Sequence, residues 1–243
     1  MSGGAESGEA FIAKWRARWP EWRIGQGFVA QDERARTEAW FALLDELTDA
    51  AWGGADPSPG LAKLAWWQDE LQGWAKGARR HPLAPVLQRA DAPWQTLALA
   101  LRTLPATRER IDDPARDLTA LRDLGLAVDA CEARLFDAGV VPGAEAGLSA
   151  TRLLAAKACL YADHALARTC LQRWPLRTGP RPRRIADTIL RARLQGLLRT
   201  GDVRPVVGPT LVWRVWRAAK PRATATATAA PLAAETKFCV VSP

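Results

Sequence analysis

An acidic cluster at residues 45–49, Asp-Glu-Leu-Thr-Asp, is the first feature of this chain that could carry chemistry. Asp45 and Asp49 are four residues apart, so on a helix they lie on one face, one turn apart. Carboxylate oxygens are ligands that Mg²⁺ accepts, and two of them at this spacing could share Mg²⁺ ions that bridge to a diphosphate. The alternative is an acidic patch on the solvent face of an amphipathic helix. The spacing alone leaves both interpretations open.

Other common site chemistries are disfavoured by the residues present. Glycine-rich phosphate loops, nucleophile elbows and the His-Glu-x-x-His zinc motif are all absent from the sequence. No Cys-x-x-Cys pair occurs, and only His81 and His164 could supply imidazole ligands. A zinc site or a disulfide scaffold is therefore not expected. The four cysteines are Cys131, Cys159, Cys170 and Cys239.

The composition predicts an all-α protein. The chain has 243 residues, a length that suits one domain, and 48% of them are hydrophobic. It contains 47 Ala and 30 Leu against 12 Val and 5 Ile, so good helix formers far outnumber the β-branched residues that strands favour. We expect an antiparallel helical bundle over residues 9–220, followed by a disordered, low-complexity, Ala-Thr-rich tail at 221–243.

Helix signals divide this bundle into segments. The first helix is predicted at 9–19, where Pro20 ends it, and the second at 32–52, before a turn at 56–60. A third helix at 61–77 carries Trp67 and Trp74 on its apolar stripe, as core residues. Further helices are predicted at 83–90, 94–104, 114–138, 149–173, 181–199 and 209–219.

Positive charge is concentrated late in the chain. The net charge is +8, and residues 176–222 hold twelve Lys and Arg against two Asp, a local charge of +10. Such a region could meet a diphosphate, anionic lipid headgroups or nucleic acid, or could form a solvated helix face. Nucleic acid is disfavoured because residues 177–199 lack aromatic side chains for base stacking. No run is long and apolar enough to span a membrane and no signal peptide precedes the first helix, so we expect a cytoplasmic protein, with peripheral membrane contact left open.

Four segments, taken in order, resemble the squalene/phytoene synthase family. They are ALLDEL at 42–47, the proline-containing DPSPG at 56–60, LAKLAWWQDEL at 61–71 and RHPLAPVL at 80–87. Residues 126–137, with Glu132, Arg134 and Asp137, are similar to the next helix of that family. The similarity is good over residues 10–140 and looser over 149–220. It is closest to a divergent branch that resembles a mitochondrial complex I assembly factor.

The resemblance implies an isoprenoid-synthase fold whose helices surround a cavity for prenyl diphosphates. It implies head-to-head prenyl transfer with Mg²⁺ held by Asp45 and Asp49. Lys63, Arg79 and Arg80 would hold diphosphate oxygens, with Trp66 beside them in the substrate site. The three basic residues have alternative roles: an ion pair from Lys63 to Glu70 or Asp45, and solvation of Arg79 and Arg80.

The second aspartate motif of the active enzymes is not matched. The corresponding stretch, 149–173, offers only Asp163, while Asp112, Asp113 and Asp117 come too early in the chain. Because both metal-binding halves stabilise the transition state, efficient catalysis is not expected. Binding of a prenyl diphosphate or another isoprenoid lipid is the leading hypothesis. The second is a non-catalytic assembly or interaction protein, with a protein partner, on the same fold.

Overall fold

The protein is all-helical over the residues that its computed structural model describes, which are 7–108, 114–138, 148–174 and 178–220. No strand occurs among these residues. The predicted tail at 221–243, and with it Cys239, lies outside the described residues, as do Asp112 and Asp113. None of the described helices combines the length and apolar character that crossing a bilayer requires.

Twelve α-helices are seen in the described residues, with three short 3-10 helices at Gln26–Phe28, Leu101–Thr103 and Pro105–Thr107. The α-helices are α1 (Gly8–Arg18), α2 (Trp22–Gly25), α3 (Arg34–Trp52), α4 (Pro57–Ala75), α5 (Ala84–Leu87), α6 (Trp94–Ala100), α7 (Pro114–Ala120), α8 (Arg122–Leu135), α9 (Leu148–Leu160), α10 (His164–Gln172), α11 (Arg181–Thr200) and α12 (Pro209–Ala219).

Two helices organise the packing. Helix α3 contacts α1, α4 and α9, and twelve of its residues are buried. Helix α11 contacts α9, α10, α12 and α2, with eleven buried residues. Helix α8 joins the two groups because it packs on both α6 and α9. The candidate site lies where α1, α3, α9 and α11 meet.

Tryptophans fill much of the core, and several of their N–H groups tie helices together. Trp40 donates to Glu132 Oε1 at 2.8 Å and Trp52 donates to Thr107 Oγ1 at 3.1 Å. Trp67 and Trp74, predicted as core residues, are both buried. A buried indole is stabilising when its single N–H finds an acceptor, as it does in Trp40, Trp52 and Trp74.

The turn predicted at 56–60 is wrong, because most of it is the first turn of α4. Asp56 caps this helix by accepting a hydrogen bond from Ser58 N at 2.9 Å. Pro57 and Pro59 are tolerated there because the first N–H groups of a helix need no intrahelical acceptor. Gly60 is required by a close approach: a Cβ at this position would stand 2.1 Å from the carbonyl oxygen of Ala50 on α3.

Two long predicted helices are each divided in the structure. The helix predicted at 114–138 breaks at Leu121, between α7 and α8. The helix predicted at 149–173 breaks at Ala162, which has a φ of 50°, and Asp163 then caps α10. Predicted segments 83–90 and 94–104 are shorter than expected, whereas those at 9–19, 181–199 and 209–219 are confirmed within one residue at each end.

Candidate functional site

The two aspartates of the acidic cluster share one face of α3, as the spacing predicted. Both form ion pairs with Arg18 at the end of α1. Arg18 Nη1 lies 3.0 Å from Asp45 Oδ2, and Arg18 Nη2 lies 2.8 Å from Asp49 Oδ1. Trp19 Nε1 donates to the other oxygen of Asp45 at 3.3 Å. Burial raises the pKa of Asp45, and the Arg18 charge opposes that shift. One guanidinium therefore bridges the carboxylate pair.

The donor set does not fit a preformed Mg²⁺ site. Mg²⁺ requires six oxygen ligands in near-octahedral geometry, and the two carboxylates here already accept hydrogen bonds from Arg18 and Trp19. Within the described parts of the chain, no group of three or more His, Cys, Asp or Glu side chains could hold a metal ion. A cation does offset the repulsion between the two carboxylates, but it is a side chain of the same protein.

Glu46 and Lys63 form a separate cluster beside the aspartates. Glu46 is buried and contacts two lysines: it accepts hydrogen bonds from Lys14 Nζ at 2.7 Å and from Lys63 Nζ. Burial raises the pKa of Glu46, but the hydrogen bonds from Lys14 and Lys63 outweigh it, so the pKa is below its ordinary value. Lys63, predicted as a diphosphate ligand, thus ties α4 to α3 through Glu46.

The carboxylate of Glu70 holds the turn that contains Arg79 and Arg80. It is fully buried and accepts hydrogen bonds from Trp74 Nε1 at 2.8 Å and from the backbone N–H groups of Arg80 and His81 at 3.1 and 2.7 Å. Arg80 Nε adds another contact at 2.9 Å. Arg79 Nε donates instead to Gln88 Oε1 at 2.5 Å. Both predicted diphosphate contacts therefore have side-chain partners in the flanking elements, Glu70 on α4 and Gln88 at the end of α5.

The rings of His81 and Trp66 pack together beside this turn, with their centroids 5.8 Å apart. The His81 ring lies 4.5 Å from the Trp67 ring and 4.6 Å from the Phe11 ring, measured between centroids. Its Nδ1 accepts from Leu83 N at 3.1 Å, and burial lowers its pKa to about 4. Trp66 is 42% exposed and meets Trp67 edge-on. His81 is therefore packed into the connection between α4 and α5, whereas Trp66 lies on α4 with much of its ring exposed.

A cavity of about 100 Å³, here called the inner compartment, lies between α1, α3, α9 and α11. Its apolar lining comes mainly from Trp15, Trp22, Phe41, Leu44, Leu153 and Ile189. An outer cleft of about 330 Å³ begins on the other side of Asp45 and includes Arg18, Asp49 and Arg193. Trp19, Asp45, Thr48 and Ala156 line both spaces.

Of the predicted site residues, Asp45 and Asp49 line the outer cleft, and Asp45 also lines the inner compartment. Lys63, Trp66, Arg79 and Arg80 line neither space. The structure therefore divides the predicted residues into two groups. One group surrounds the Asp45 cleft, and the other stabilises the α4 connection.

A buried ionic network forms one wall of the inner compartment, and sequence reasoning missed it. Arg183 pairs with Glu132, while Arg152 donates to Asp187 Oδ2 at 2.9 Å and to Ser149 Oγ at 3.0 Å. Burial raises the pKa of Asp187 against the pull of these arginines. A usable signal was present, because Arg152 and Lys157 interrupt an otherwise apolar helix, and a buried charge needs a partner.

Arg193 lines the outer cleft and forms a second buried ion pair. Its guanidinium contacts Glu21 at 2.5 Å, donates to the Arg18 carbonyl at 2.6 Å and stacks 3.9 Å above the Trp19 ring. Glu21 also accepts from Val206 N at 3.0 Å. Arg193 therefore fixes the segment of chain that carries both Arg18 and Trp19 to Asp45.

Comparison of the chain with protein-family models, with curated proteins and with solved structures gave no match.

Proposed function

We propose that this chain is an isoprenoid-binding protein with a squalene/phytoene-synthase-like arrangement, and that it does not carry out head-to-head prenyl transfer. The observation that supports it most is the bridge from Arg18 to Asp45 and Asp49, which stands between an apolar compartment and a charged cleft. In this proposal the ligand is a prenyl diphosphate or another isoprenoid lipid.

The inner compartment suits a hydrocarbon chain. Most of its lining is apolar, and its two arginines are paired with Asp187 and Glu132 rather than left to a ligand. At about 100 Å³ it is smaller than the roughly 300–1,000 Å³ of typical ligand pockets, so binding requires it to join the outer cleft. A ligand that occupies both spaces must pass between the side chains that line both, Trp19, Asp45, Thr48 and Ala156.

The outer cleft suits an anionic headgroup. Arg18 is 38% exposed at its side chain, so a diphosphate can approach it from solvent. A diphosphate that competes with Asp45 and Asp49 for Arg18 would gain charge-assisted hydrogen bonds without a metal ion. Mg²⁺ binding by Asp45 and Asp49 stays a prediction, and comparison of ligand titrations in Mg²⁺ and in EDTA tests it.

Efficient transfer chemistry is left out of the proposal for a physical reason. Ionisation of a prenyl diphosphate depends on metal ions that neutralise the leaving group from two sides. Here one carboxylate pair is bridged by Arg18, and the facing helices α9 and α11 contribute Arg152 and Arg183 to the lining. This arrangement favours holding a ligand over cleaving it.

The experiment is calorimetric titration with farnesyl diphosphate in the presence of EDTA. Ala156→Phe adds a ring where the two spaces meet and should weaken binding by at least about tenfold, or 1.4 kcal/mol. Ala130→Phe, at an exposed position of α8, is the matched control and should bind like the wild type. Equal affinity of Ala156→Phe and the wild type would show that the ligand does not bind in this cavity.

The second candidate is a non-catalytic assembly or interaction protein on the same fold. Two large apolar side chains of α4, Leu61 and Trp66, are 45% and 42% exposed. Exposed apolar side chains of this kind could contact a partner protein. Failure of a folded sample to bind farnesyl diphosphate, geranylgeranyl diphosphate or farnesol would favour this candidate. Co-purification of a defined partner that Trp66→Ala weakens would then support it.

A further inference from the structure

In the part of the chain that the structure describes, helix α12 turns an apolar stripe towards solvent. Its inner side chains, Leu211 and Val215, are buried against the bundle. On the outer side, Trp213 is 52% exposed and Trp216 is 43% exposed. Val212 and Pro209 continue the stripe at helical spacing, and Phe28 completes a shallow apolar depression with them. We call Val212, Trp213 and Trp216 the α12 outer face.

The outer face is surrounded by positive charge. Residues 203–220 include Arg204, Arg214, Arg217 and Lys220 but no Asp or Glu. All four cations are exposed. Asp202, just outside this segment, pairs with Arg204 at 2.7 Å. The segment therefore combines a large apolar surface with three cations on α12 and its C-terminal cap.

The two indole rings are each covered by a cation of the same segment. The Arg217 guanidinium lies 4.7 Å above the Trp213 ring, and the Lys220 ammonium lies 3.6 Å above the Trp216 ring. This arrangement is less suited to stacking of nucleic-acid bases, because a cation already lies over each indole. A second copy of the chain is also a poor occupant, since it would bring like charges together.

Helix α12 is held firmly enough to present this face. Arg184 of α11 donates to the carbonyl oxygens of Ala218 at 2.9 Å and Lys220 at 3.1 Å, at the C-terminal end of α12. A cation at that position also interacts favourably with the helix dipole. Arg214 Nη1 donates to Gln195 Oε1 of α11 at 2.9 Å, which fixes the orientation of one side of α12.

We propose that the α12 outer face docks on the surface of a bilayer that contains anionic lipids. Trp213, Trp216 and Val212 lie at the depth of the headgroups, where amphipathic tryptophan rings are favoured. Arg217 and Lys220, which lie over the two indoles, and the neighbouring Arg214 bring positive charge to the layer of the lipid phosphates, because long cationic side chains can keep their charge in the polar layer. The helix lies parallel to the membrane and does not cross it.

The test is co-sedimentation of the full chain with vesicles of phosphatidylcholine alone and with phosphatidylserine added. We expect the wild type to bind the anionic vesicles preferentially and to be released by salt. Trp213→Ala with Trp216→Ala should weaken this binding by at least about tenfold. The matched control is Leu61→Ala with Leu99→Ala, which removes two side chains of similar exposure elsewhere and should bind like the wild type.

A charge-reversed pair completes the experiment. Arg214→Glu with Arg217→Glu should abolish the preference for anionic vesicles, whereas Arg102→Glu with Arg122→Glu makes the same change in net charge at exposed sites away from α12. Absence of binding by the wild type, or binding that neither α12 variant weakens, overturns the proposal. The proposal is also overturned if these variants lose single-stranded RNA binding, or lose a dimer, while vesicle binding is unchanged.

Discussion

At Asp45 and Asp49, a guanidinium and an indole N–H donate hydrogen bonds to three of the four carboxylate oxygens that could bind a metal ion. The aspartate spacing was visible in the sequence, and its placement on one helix face follows from helix geometry. Arg18 was not visible as their partner, because it lies 27 residues before Asp45 and comes into place only when α1 packs on α3. Local spacing can reveal two carboxylates on one face, but tertiary packing decides what neutralises them.

Removal of Arg18 should expose the carboxylate pair. In Arg18→Ala we expect Mg²⁺ to raise the unfolding temperature by a few degrees, because a ligand that binds only the folded state stabilises it by mass action, about 2.7 kcal/mol at a hundredfold excess over Kd. The measurement is thermal unfolding with and without Mg²⁺. Arg204→Ala, which removes an exposed arginine paired with Asp202, is the control. Equal stabilisation of wild type and Arg18→Ala by Mg²⁺ would contradict this account.

His81 should make the stability of the fold depend on pH. Its pKa in the folded protein is about 4, below the ordinary value of 6.5, so between these pH values the unfolded chain binds a proton that the folded chain does not. Acidification from pH 6.5 to 4 should therefore remove about 3 kcal/mol of stability, at 1.36 kcal/mol per pKa unit, with no contribution above pH 6.5.

Urea unfolding across this pH range measures the His81 effect. His81→Asn keeps an acceptor for the Leu83 N–H and should lose the part of the acid dependence that His81 causes. His164→Asn controls for removal of a histidine from the chain. A wild-type curve with the same slope as that of His81→Asn between pH 4 and 6.5 would show that His81 is not the group responsible.

At the scale of the elements, composition and periodicity predicted where helices form. They did not predict where two of the long helices are interrupted. The ends of α11 and α12 were predicted within one residue because glycine and proline flank them. The break at Ala162 has no glycine or proline signal. It depends on a left-handed residue followed by the Asp163 cap, a conformation that local propensity disfavours. The proline-containing turn failed as a prediction because prolines also suit the first turn of a helix.

Gly60 sets the distance between α3 and α4. Gly60→Ala places a methyl group against the Ala50 carbonyl and should destabilise the protein by about 1–3 kcal/mol, because the two helices must separate. Urea unfolding measures the loss. Gly27→Ala is the matched control, since a Cβ there meets nothing within 4 Å and should change stability far less. Similar losses in both variants would indicate a backbone effect and not a helix contact.

At the scale of the whole molecule, the packing separates the predicted site residues into two places. Lys63, Arg79 and Arg80 pair with Glu46, Gln88 and Glu70 around α4. The space between α1, α3, α9 and α11 is lined, apart from Asp45, by residues that were not predicted as site residues. The all-α class followed from composition. The buried ion pairs around the inner compartment and the outer cleft did not, because Arg152, Arg183 and Arg193 pair with carboxylates 35, 51 and 172 residues away.

The central claim is that this cavity binds an isoprenoid ligand without a metal ion. Its most direct test is calorimetric titration of the wild type with farnesyl and geranylgeranyl diphosphates, in EDTA and in Mg²⁺, followed by extraction and product analysis. The account predicts saturable binding in EDTA, similar affinity in Mg²⁺ and recovery of unchanged ligand. Binding that requires Mg²⁺, together with a condensed hydrocarbon product, would contradict it and would establish a metal-dependent prenyltransferase.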